Sequence, residues 1–489
     1  MLFRLRRPAR RGYTLAMRNA VLFASFLARC ALFSFLTAAT LATAEPASLA
    51  PSQFNSGAAV DSSALGTRIP VVLVHGLGGS GQGWENFLQA YAQNPAWRGA
   101  FKPYTFKYPS SAAEVMADPT APRTISGLGA SLRDAMQAYH DRPAAAPGFG
   151  FGNKRVVLLA HSMGGLVARS MMQEHLFRDG QRGGQNVLHL ITLGTPHQGT
   201  PLADAAAVLG LQSELSDGYF GFVADMAWTN FDSLDAPTLR CNQWLAQLNN
   251  YAPASGGTYG RCGQVAGNAL AGYYEKIIAY GAATLQAPDP QFGFGAFKPG
   301  SSEALFFSYA YLRSALARSY RNDGMVPMAS SQFEGAALWR ANEAFDCDHR
   351  YLERGYPEFV RSLTASYTDW AFCAGTGSGA PYPSGVAGGY AVSGSIYGVP
   401  GGVIDTITTV SNTERVFDWA EQAYAGFLQP AGGATQIWNG YYFRHYPATQ
   451  SDVGVKDGNV YYKGPASNQQ ITFVATLAGF LARAQADGF

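Results

Sequence analysis

The chain has 489 residues, of which 47% are hydrophobic and 14% are charged, and its formal net charge is +2. This is the balance of a globular protein that is long enough for two or three domains and a large core. The first 44 residues hold seven arginines and no acidic residue; without them the net charge is about −5 and no basic tract remains, which argues against a nucleic-acid-binding protein.

The N-terminal segment, residues 1–44, has the order of a secretory signal peptide. A basic region precedes an apolar run from Ala20 to Leu41, and small residues fit a cleavage site after Ala44. Arg29 interrupts the apolar run and argues against a stable membrane span once the signal is removed. We therefore expect a secreted protein, whose destination is either the periplasm or the exterior. Translation starts at the first methionine or at Met17.

A leader over residues 45–68 is rich in Ala, Ser and Gly and has no periodicity, so we expect it to be flexible. The continuous apolar run from Ile69 to His75 then predicts a buried strand, which ends in a glycine-rich loop over Gly76–Gly81. Glycines let backbone N–H groups approach a ligand closely. The loop is either a plain tight turn or half of an oxyanion hole, with the backbone N–H of Leu77 as its donor.

Strands and helices alternate in the next part of the chain. The patterns predict helices over Trp84–Gln93 and Thr124–Tyr139 and a strand over Phe101–Tyr108. This alternation is typical of a mostly parallel sheet flanked by helices, with functional groups at the carboxyl ends of the strands.

A serine sits at the sharpest strand-to-helix junction of the sequence. An apolar strand runs up to Ala160, a helix is predicted over Gly165–Phe177, and Ser162 lies between them with Gly164 two residues on. This A-x-S-x-G pattern predicts a nucleophile elbow, with the backbone N–H of Met163 as a second oxyanion donor. The structural alternative is a buried strand that happens to end in serine.

Two insertions interrupt the alternation after the elbow. A strand over Asn186–Leu193 precedes residues 198–272, which either form a lid-like roof over the site or a surface helical excursion. A further strand is predicted over Tyr273–Ala282, followed by a second insertion up to Arg321.

An aspartate and a histidine complete the candidate site. Asp323 lies in an Asn-Asp-Gly turn after the second insertion, and the order serine, acid, histidine is the one that a strand-elbow-helix hydrolase uses. His349 follows 26 residues later and is the candidate base, whereas His445 in the tail and a purely structural core role are the alternatives. The other histidines border or lie in strands or helices: His75, His140, His161, His175, His189 and His197.

Five cysteines become four when the signal, which contains Cys30, is removed. An even number in an exported chain indicates disulfides, and each local pairing would contribute about 3 kcal/mol. Three ways of pairing these four cysteines are open. None of them shows C-x-x-C spacing, which argues against a metal or redox site, so we expect neither a metal nor a cofactor. The candidates are Cys241, Cys262, Cys347 and Cys373.

Four motifs together resemble secreted bacterial lipases and esterases of the α/β-hydrolase superfamily, over roughly residues 69–370. They are V-L-V-H-G-L-G-G-S, L-A-H-S-M-G-G-L, L-G-T-P-H-Q-G-T-P and N-D-G-M-V-P-M-A-S-S. The resemblance implies an α/β-hydrolase fold and family roles at five positions: Ser162 as nucleophile, Asp323 as acid, His349 as base, and Leu77 and Met163 as oxyanion donors.

The sequence departs from this family at two positions. Relatives hold a structural calcium partly through an aspartate two residues after the base, where this chain has Tyr351. They often carry a disulfide cysteine six residues after the acid, where this chain has Ala329. The calcium requirement and the subfamily therefore stay open.

The C-terminal part is predicted as a linker over residues 374–411, rich in Gly, Ser and Pro, and a small α+β module over residues 412–489. We expect helices over Val416–Phe427 and Ile471–Ala484, with strands around Asn-Gly and Asp-Gly turns between them. The module's aromatic side chains either pack in its core or bind a polymer surface: Trp438, Tyr441, Tyr442, Tyr446, Tyr461 and Tyr462.

The sequence thus predicts a catalytic domain over residues 69–373 that hydrolyses carboxylic esters through an acyl-enzyme on Ser162. Lipids and polyesters are the expected substrates. The alternatives are a polyhydroxyalkanoate-type depolymerase anchored by the C-terminal module, and a non-catalytic binding protein with the same fold. We expect no nucleic-acid partner, and the need for a folding chaperone stays open.

Overall fold

The computed structural model of the chain describes residues 46–118, 120–144, 150–206, 221–227, 242–249, 273, 276–283, 308–309, 312, 322–331, 341–345, 349, 403–424, 428, 436–438, 441–464 and 470–487. The predicted signal segment, the four candidate disulfide cysteines and most of the predicted linker lie outside these residues. Across the described helices, none is long and apolar enough to cross a membrane.

A seven-stranded sheet forms the centre of the molecule, in the order β1-β3-β2-β4-β5-β6-β7. Only β1 is antiparallel to its neighbour, so the predicted mostly parallel sheet is confirmed. The strands are β1 Ser48–Pro51, β2 Ile69–Val74, β3 Phe101–Lys107, β4 Val156–His161, β5 Val187–Leu193, β6 Ile277–Ala283 and β7 Ala341–Phe345.

Helices cover both faces of this sheet. They are α1 Glu85–Gln93, α2 Pro95–Ala100, α3 Ala112–Ala117, α4 Ile125–His140, α5 Met163–Glu174, α6 Pro201–Ala206, α7 Gly221–Asp225, α8 Gln243–Leu248 and α9 Met328–Ser331. Every residue of β2, β4 and β5 is buried, because α4 and α5 pack on one face and α1 and α2 on the other. This two-sided burial explains why these strands are continuous apolar runs.

The predicted strand over Tyr273–Ala282 starts later than expected, at Ile277. Tyr273 has a positive φ of 49°, which is incompatible with a strand. Lys276 is buried, and its ammonium group donates to the carbonyl oxygens of Gly184 and Val187, both at 2.7 Å. The residues before Ile277 are thus used to hold a neighbouring turn and do not extend the strand.

A second, antiparallel sheet lies in the C-terminal part, in the order β12-β11-β10-β9-β8. Asp457 and Gly458 both have positive φ, 48° and 70°, and join β10 to β11 as the sequence predicted. The elements are α10 Val403–Ala423, β8 Gln436–Trp438, β9 Tyr441–Tyr446, β10 Ser451–Lys456, β11 Asn459–Lys463, β12 Ile471–Thr476 and α11 Leu477–Ala486.

Helix α10 corrects the predicted linker and module boundary. It begins at Val403, inside the predicted linker, and ends at Ala423, so the boundary between residues 411 and 412 falls within a helix. The run from Val403 to Val410 is rich in β-branched residues and has low helix propensity. Its Ile407 and Val410 are fully buried against the main sheet, and this packing outweighs the propensity.

The last predicted helix is also corrected. Residues Ile471–Thr476 form strand β12, paired with β11, and only Leu477–Ala486 are helical. The sequence Ile-Thr-Phe-Val is apolar, but its β-branched and aromatic residues favour a strand. The hydroxyl of Thr476 accepts the N–H of Gly479 at 3.1 Å and starts the helix.

Charged side chains join the C-terminal unit to the main sheet. Arg155, directly before β4, donates to Glu414 of α10 at 2.9 Å, and Arg444 of β9 donates to the same carboxylate. Arg444 also donates to Glu421 at 2.7 Å and lies 4.9 Å from the ring centre of Phe417. The two parts of the molecule therefore share an ion-pair network as well as apolar contacts.

The aromatic residues of the C-terminal unit divide between core and surface. Tyr442 and Tyr446 have no exposed surface, and Tyr442 packs in the core of the main sheet. Tyr461 and Tyr462 are half-buried. A binding role is therefore excluded for Tyr442 and Tyr446, which pack in the core as the alternation of the strand indicates.

Candidate active site

Ser162 occupies the single residue between β4 and α5. Its φ is 54° and its ψ is −130°, a region that residues with a side chain rarely adopt. Its N–H donates to the carbonyl of Leu193 at the end of β5, at 2.9 Å. The chain therefore turns from strand to helix at the serine itself, which is the geometry predicted for a nucleophile elbow.

Two glycines make room for this turn. A Cβ atom at Gly164 would overlap the carbonyl oxygens of Val74 and His75, and one at Gly76 would lie 2.7 Å from the Cβ of Ser162. The elbow and the end of β2 are thus in direct backbone contact. This explains why glycine is required two residues after the serine and in the first loop.

The structure brings together the three side chains that the sequence singled out. The Nε2 atom of His349 lies 2.8 Å from the Oγ of Ser162, and its Nδ1 atom lies 2.7 Å from Oδ2 of Asp323. Asp323 is fully buried, and His349 is 7% exposed. The alternative base, His445, instead pairs with Asp452 in the C-terminal sheet, at 2.7 Å.

Backbone donors fix the carboxylate of Asp323. Its Oδ1 atom accepts the N–H groups of Met325 at 2.9 Å and Val326 at 2.7 Å, which leaves Oδ2 for the imidazole. The backbone N–H of His349 also donates to the carbonyl of Asp323, at 2.8 Å. With Nδ1 protonated towards the carboxylate, Nε2 is free to accept a proton from the serine hydroxyl.

The glycine-rich loop after β2 is held from the end of β3. The ring of Tyr108 stacks on His75 with 4.1 Å between ring centres, and its hydroxyl donates to the His75 carbonyl. Ser110 accepts the N–H of Gly78 and donates to the Gly79 carbonyl, both at 3.0 Å. Burial lowers the pKa of His75 to about 4, so this residue is neutral at physiological pH.

The two predicted oxyanion donors lie in this loop and at the start of α5. In the part of the chain that the structure describes, the backbone N–H groups of Leu77 and Met163 have no hydrogen-bond acceptor. Met163 directly follows the serine, and the residue before Leu77 touches the serine Cβ. Their catalytic role stays a prediction.

Sequence reasoning missed a buried arginine behind the nucleophile. Arg169 of α5 has no exposed surface and donates to the side chain of Asn249 at 2.7 Å and to the carbonyl of Leu248 at 2.9 Å. Burial, together with the charge of Arg169, holds the pKa of His197 well below its usual range. An arginine directly after the apolar run Leu166–Ala168 was the available signal.

The described pieces of the first insertion dock on the helices behind the serine. Asp225 of α7 accepts the N–H of Ile125 at the start of α4, at 2.8 Å, and Trp244 of α8 donates to Glu174 of α5, at 2.9 Å. Other parts of the predicted insertion over residues 198–272, including Trp228 and Phe231, lie outside the described residues.

The sequence around the serine matches a known family of domains. Residues 133–233, which include β4, Ser162, α5 and β5, match the family described as the PGAP1-like alpha/beta domain. The fold is that of the α/β hydrolases. No curated protein matches the chain.

Several solved structures are similar to this chain. The mature lipase BlEst2 of Bacillus licheniformis is 19% identical, with 65% of this chain and 98% of that chain covered and a TM-score of 0.38. Lipase 1 of Pelosinus fermentans is 16% identical, with 61% and 98% covered and a TM-score of 0.31. EstA of Clostridium botulinum is 12% identical, with 66% and 95% covered and a TM-score of 0.33.

Proposed function

We propose that this protein is a serine hydrolase of carboxylic esters, of the lipase or esterase type, in which Ser162 carries the acyl group. The observation that supports this most is the continuous hydrogen-bonded series from Ser162 through His349 to Asp323. Nucleophile, base and orienting acid need this order and these distances.

In the first half-reaction the Oγ of Ser162 attacks the ester carbonyl while Nε2 of His349 takes the hydroxyl proton. The carbonyl oxygen becomes an oxyanion, which accepts hydrogen bonds from the N–H groups of Leu77 and Met163. The C–O bond to the alcohol then breaks, and His349 gives its proton to the leaving alcohol. Asp323 stabilises the imidazolium that forms in between.

In the second half-reaction water replaces the alcohol. His349 takes a proton from the water, whose oxygen attacks the acyl carbon, and the same N–H groups hold the second oxyanion. The bond to Ser162 breaks as His349 returns the proton to Oγ, which releases the carboxylic acid and restores the enzyme.

Turnover of soluble p-nitrophenyl esters tests this proposal. We expect Ser162→Ala to lower kcat by at least about 1,000-fold, because the nucleophile is lost. Ser131→Ala, on α4 and bonded only to the carbonyl of Gly127 at 3.2 Å, is the matched control and should keep the parent rate. A folded parent protein without hydrolysis of any ester would favour the non-catalytic binding protein.

A polyester depolymerase is the second candidate, favoured by one feature of the C-terminal sheet. Its edge strand β12 exposes Ile471, Phe473 and Val474 by 39%, 55% and 50%. Apolar side chains on a sheet edge suit adsorption to an insoluble substrate. This candidate is tested by comparing Phe473→Ser with the parent protein on polyester film and on soluble esters. Lower turnover of film by the variant, with equal turnover of soluble esters, supports the candidate. Equal turnover of film by the two proteins excludes it.

We also propose that the protein is exported, because its first 44 residues have the order of a secretory signal. Expression in a bacterial host followed by N-terminal sequencing of the exported protein tests this. A mature chain that begins at Glu45 supports the proposal, and a chain that retains Met1 in the cytoplasm contradicts it.

A further inference from the structure

A second imidazole lies directly beside the candidate base. The Nε2 atom of His161 is 2.9 Å from the backbone carbonyl oxygen of His349, and the two ring centres are 4.7 Å apart. His161 is the last residue of β4 and is 6% exposed. Its ring therefore points at the backbone of His349, whereas the next residue, Ser162, meets the side chain of the same histidine.

The position of His349 in the fold explains why such a contact is needed. His349 follows β7, which lies at the edge of the sheet, and β5 and β6 separate that strand from β4. Neighbouring strands lie about 4.8 Å apart, so β7 and β4 are separated by about 14 Å. The chain after β7 must cross this distance to bring His349 to Ser162. Its position cannot be set by β7 alone.

The backbone of His349 is held at both of its polar groups. Its N–H donates to the carbonyl of Asp323 at 2.8 Å, and its carbonyl accepts from His161 at 2.9 Å. The first bond ties the base to the acid, and the second ties it to the strand that carries the nucleophile. Together they fix the imidazole relative to both of its partners.

We infer that His161 is a positioning residue for the base: its Nε2–H donates to the carbonyl of His349 and holds that imidazole at the Oγ of Ser162. This inference rests on the proposed ester hydrolysis. Ordinary alkyl or hydroxyl side chains at position 161 could not reach the carbonyl from the end of β4, whereas an imidazole Nε2 or a glutamine amide has the required length.

Substitutions at position 161 separate this role from simple packing. His161→Phe keeps the ring volume and removes the donor, and His161→Gln keeps a donor at a similar reach. Since a displacement of about 1 Å can cost about 100-fold in rate, we expect His161→Phe to lower kcat by about 10–100-fold with KM changed less than about 3-fold. We expect His161→Gln to stay within about 5-fold of the parent.

His189 provides a matched control. It lies on β5, has no exposed surface, and its Nδ1 atom is 3.3 Å from the carbonyl of Lys276, but its ring packs towards Tyr442 and away from the site. His189→Phe should lower the unfolding temperature without lowering kcat. The second readout is the rate constant of Ser162 phosphonylation by a p-nitrophenyl phosphonate, which should fall for His161→Phe and not for His189→Phe.

The outcomes are distinct from those that test the proposed function. If the parent neither hydrolyses esters nor reacts with the phosphonate, the proposed function fails. If the parent does both and His161→Phe keeps its rates, or if His189→Phe loses as much kcat, the inference on His161 is wrong. Should His161→Phe not fold, His161→Asn takes its place: its amide is too short to reach, so equal rates for His161→Asn and His161→Gln would overturn the inference.

Discussion

Backbone strain at Ser162 is the feature on which the site depends at the level of single residues. A residue with a Cβ atom at φ 54° and ψ −130° costs about 1–3 kcal/mol, whereas glycine adopts such angles freely. We therefore expect Ser162→Gly to be more stable than Ser162→Ala by about 1 kcal/mol, with both inactive. Urea unfolding of the two variants measures the difference, and a more stable alanine variant would contradict the strained conformation.

The contact between the elbow and β2 gives a second prediction. Gly164→Ala would place a Cβ atom against the Val74 and His75 carbonyls, so we expect a loss of about 1–3 kcal/mol in unfolding free energy and reduced turnover. Gly99→Ala in α2, where no atom lies within 4 Å, is the matched control. It should be neutral or stabilising by about 0.5–1 kcal/mol. Equal effects of the two substitutions would show that the elbow is not tightly packed.

The pKa of Asp225 makes the docking of the first insertion pH-dependent. Burial is the largest cause and raises this pKa from 3.8 to about 6. The hydrogen bond from the Ile125 N–H lowers the pKa, whereas the negative charge of Glu174 raises it further. The folded protein thus binds the proton more tightly than the unfolded chain. Stability from this group is fully present below about pH 4 and is lost as the pH rises through 6.

Asp225→Asn tests this sign, because it keeps an oxygen acceptor for Ile125 and removes the buried charge. We expect the variant to match the parent near pH 4 and to exceed its unfolding free energy by on the order of 1–2 kcal/mol above pH 7. Asp134→Asn, at an exposed position of α4, should show no such trend. An Asp225→Asn variant that is less stable than the parent at high pH would contradict the raised pKa of Asp225.

At the level of elements, the sequence predicted best where burial leaves an unambiguous pattern. Strands β2, β4 and β5 are continuous apolar runs, and each predicted boundary lies within one residue of the observed one. Prediction failed at β12 and α11, because the apolar run there fits either a strand or a helix. It also failed at α10, where contacts with the main sheet stabilise a helix that the local sequence does not favour. Such contacts join residues far apart in the chain and leave no local signal.

Helix α10 provides a test at this level. Ile407 lies in the predicted linker but is fully buried against the main sheet, so Ile407→Ala should cost about 2–4 kcal/mol of unfolding free energy. Gln422→Ala, on an exposed position of the same helix, should stay within about 0.5 kcal/mol. Thermal and urea unfolding compare the two. A neutral effect at Ile407 would restore the view that this segment is only a linker.

The candidate site shows the same division between local and long-range information. Ser162 stands in a local pattern that indicates its chemistry, whereas Asp323 and His349 were predicted from the order of the three residues along the chain. Arg169 contacts Asn249 of the first insertion, Tyr108 contacts the backbone of His75, and His161 contacts the backbone of His349, so each acts through a partner distant in sequence. Their contacts could therefore be read only from the folded chain.

At the level of the whole molecule, the C-terminal unit unfolds together with the catalytic part in our account. Glu414 is 1% exposed and pairs with the partly exposed Arg155 and the buried Arg444, so Glu414→Gln removes the charge that the two guanidinium groups share and leaves Arg444 paired with Glu421 alone among these carboxylates. Removing one partner of a buried ion pair costs about 3–5 kcal/mol. We expect one shared urea transition, followed by tryptophan fluorescence and by esterase activity, to shift to lower urea in the variant.

Two separate transitions would contradict this coupling. In that case the fluorescence change of the C-terminal unit would move in Glu414→Gln while the loss of esterase activity stayed at the urea concentration of the parent. The unit would then be an independent module, as the sequence first indicated.

The central claim is that Ser162, His349 and Asp323 act together as one nucleophilic site, and covalent labelling tests it most directly. The protein is treated with a p-nitrophenyl phosphonate, and the adduct is located by peptide mass spectrometry in the parent and in His349→Ala. We predict one adduct per chain, on Ser162, and a labelling rate at least about 1,000-fold lower without the imidazole. An adduct on another residue, or equal rates with and without His349, would contradict the account.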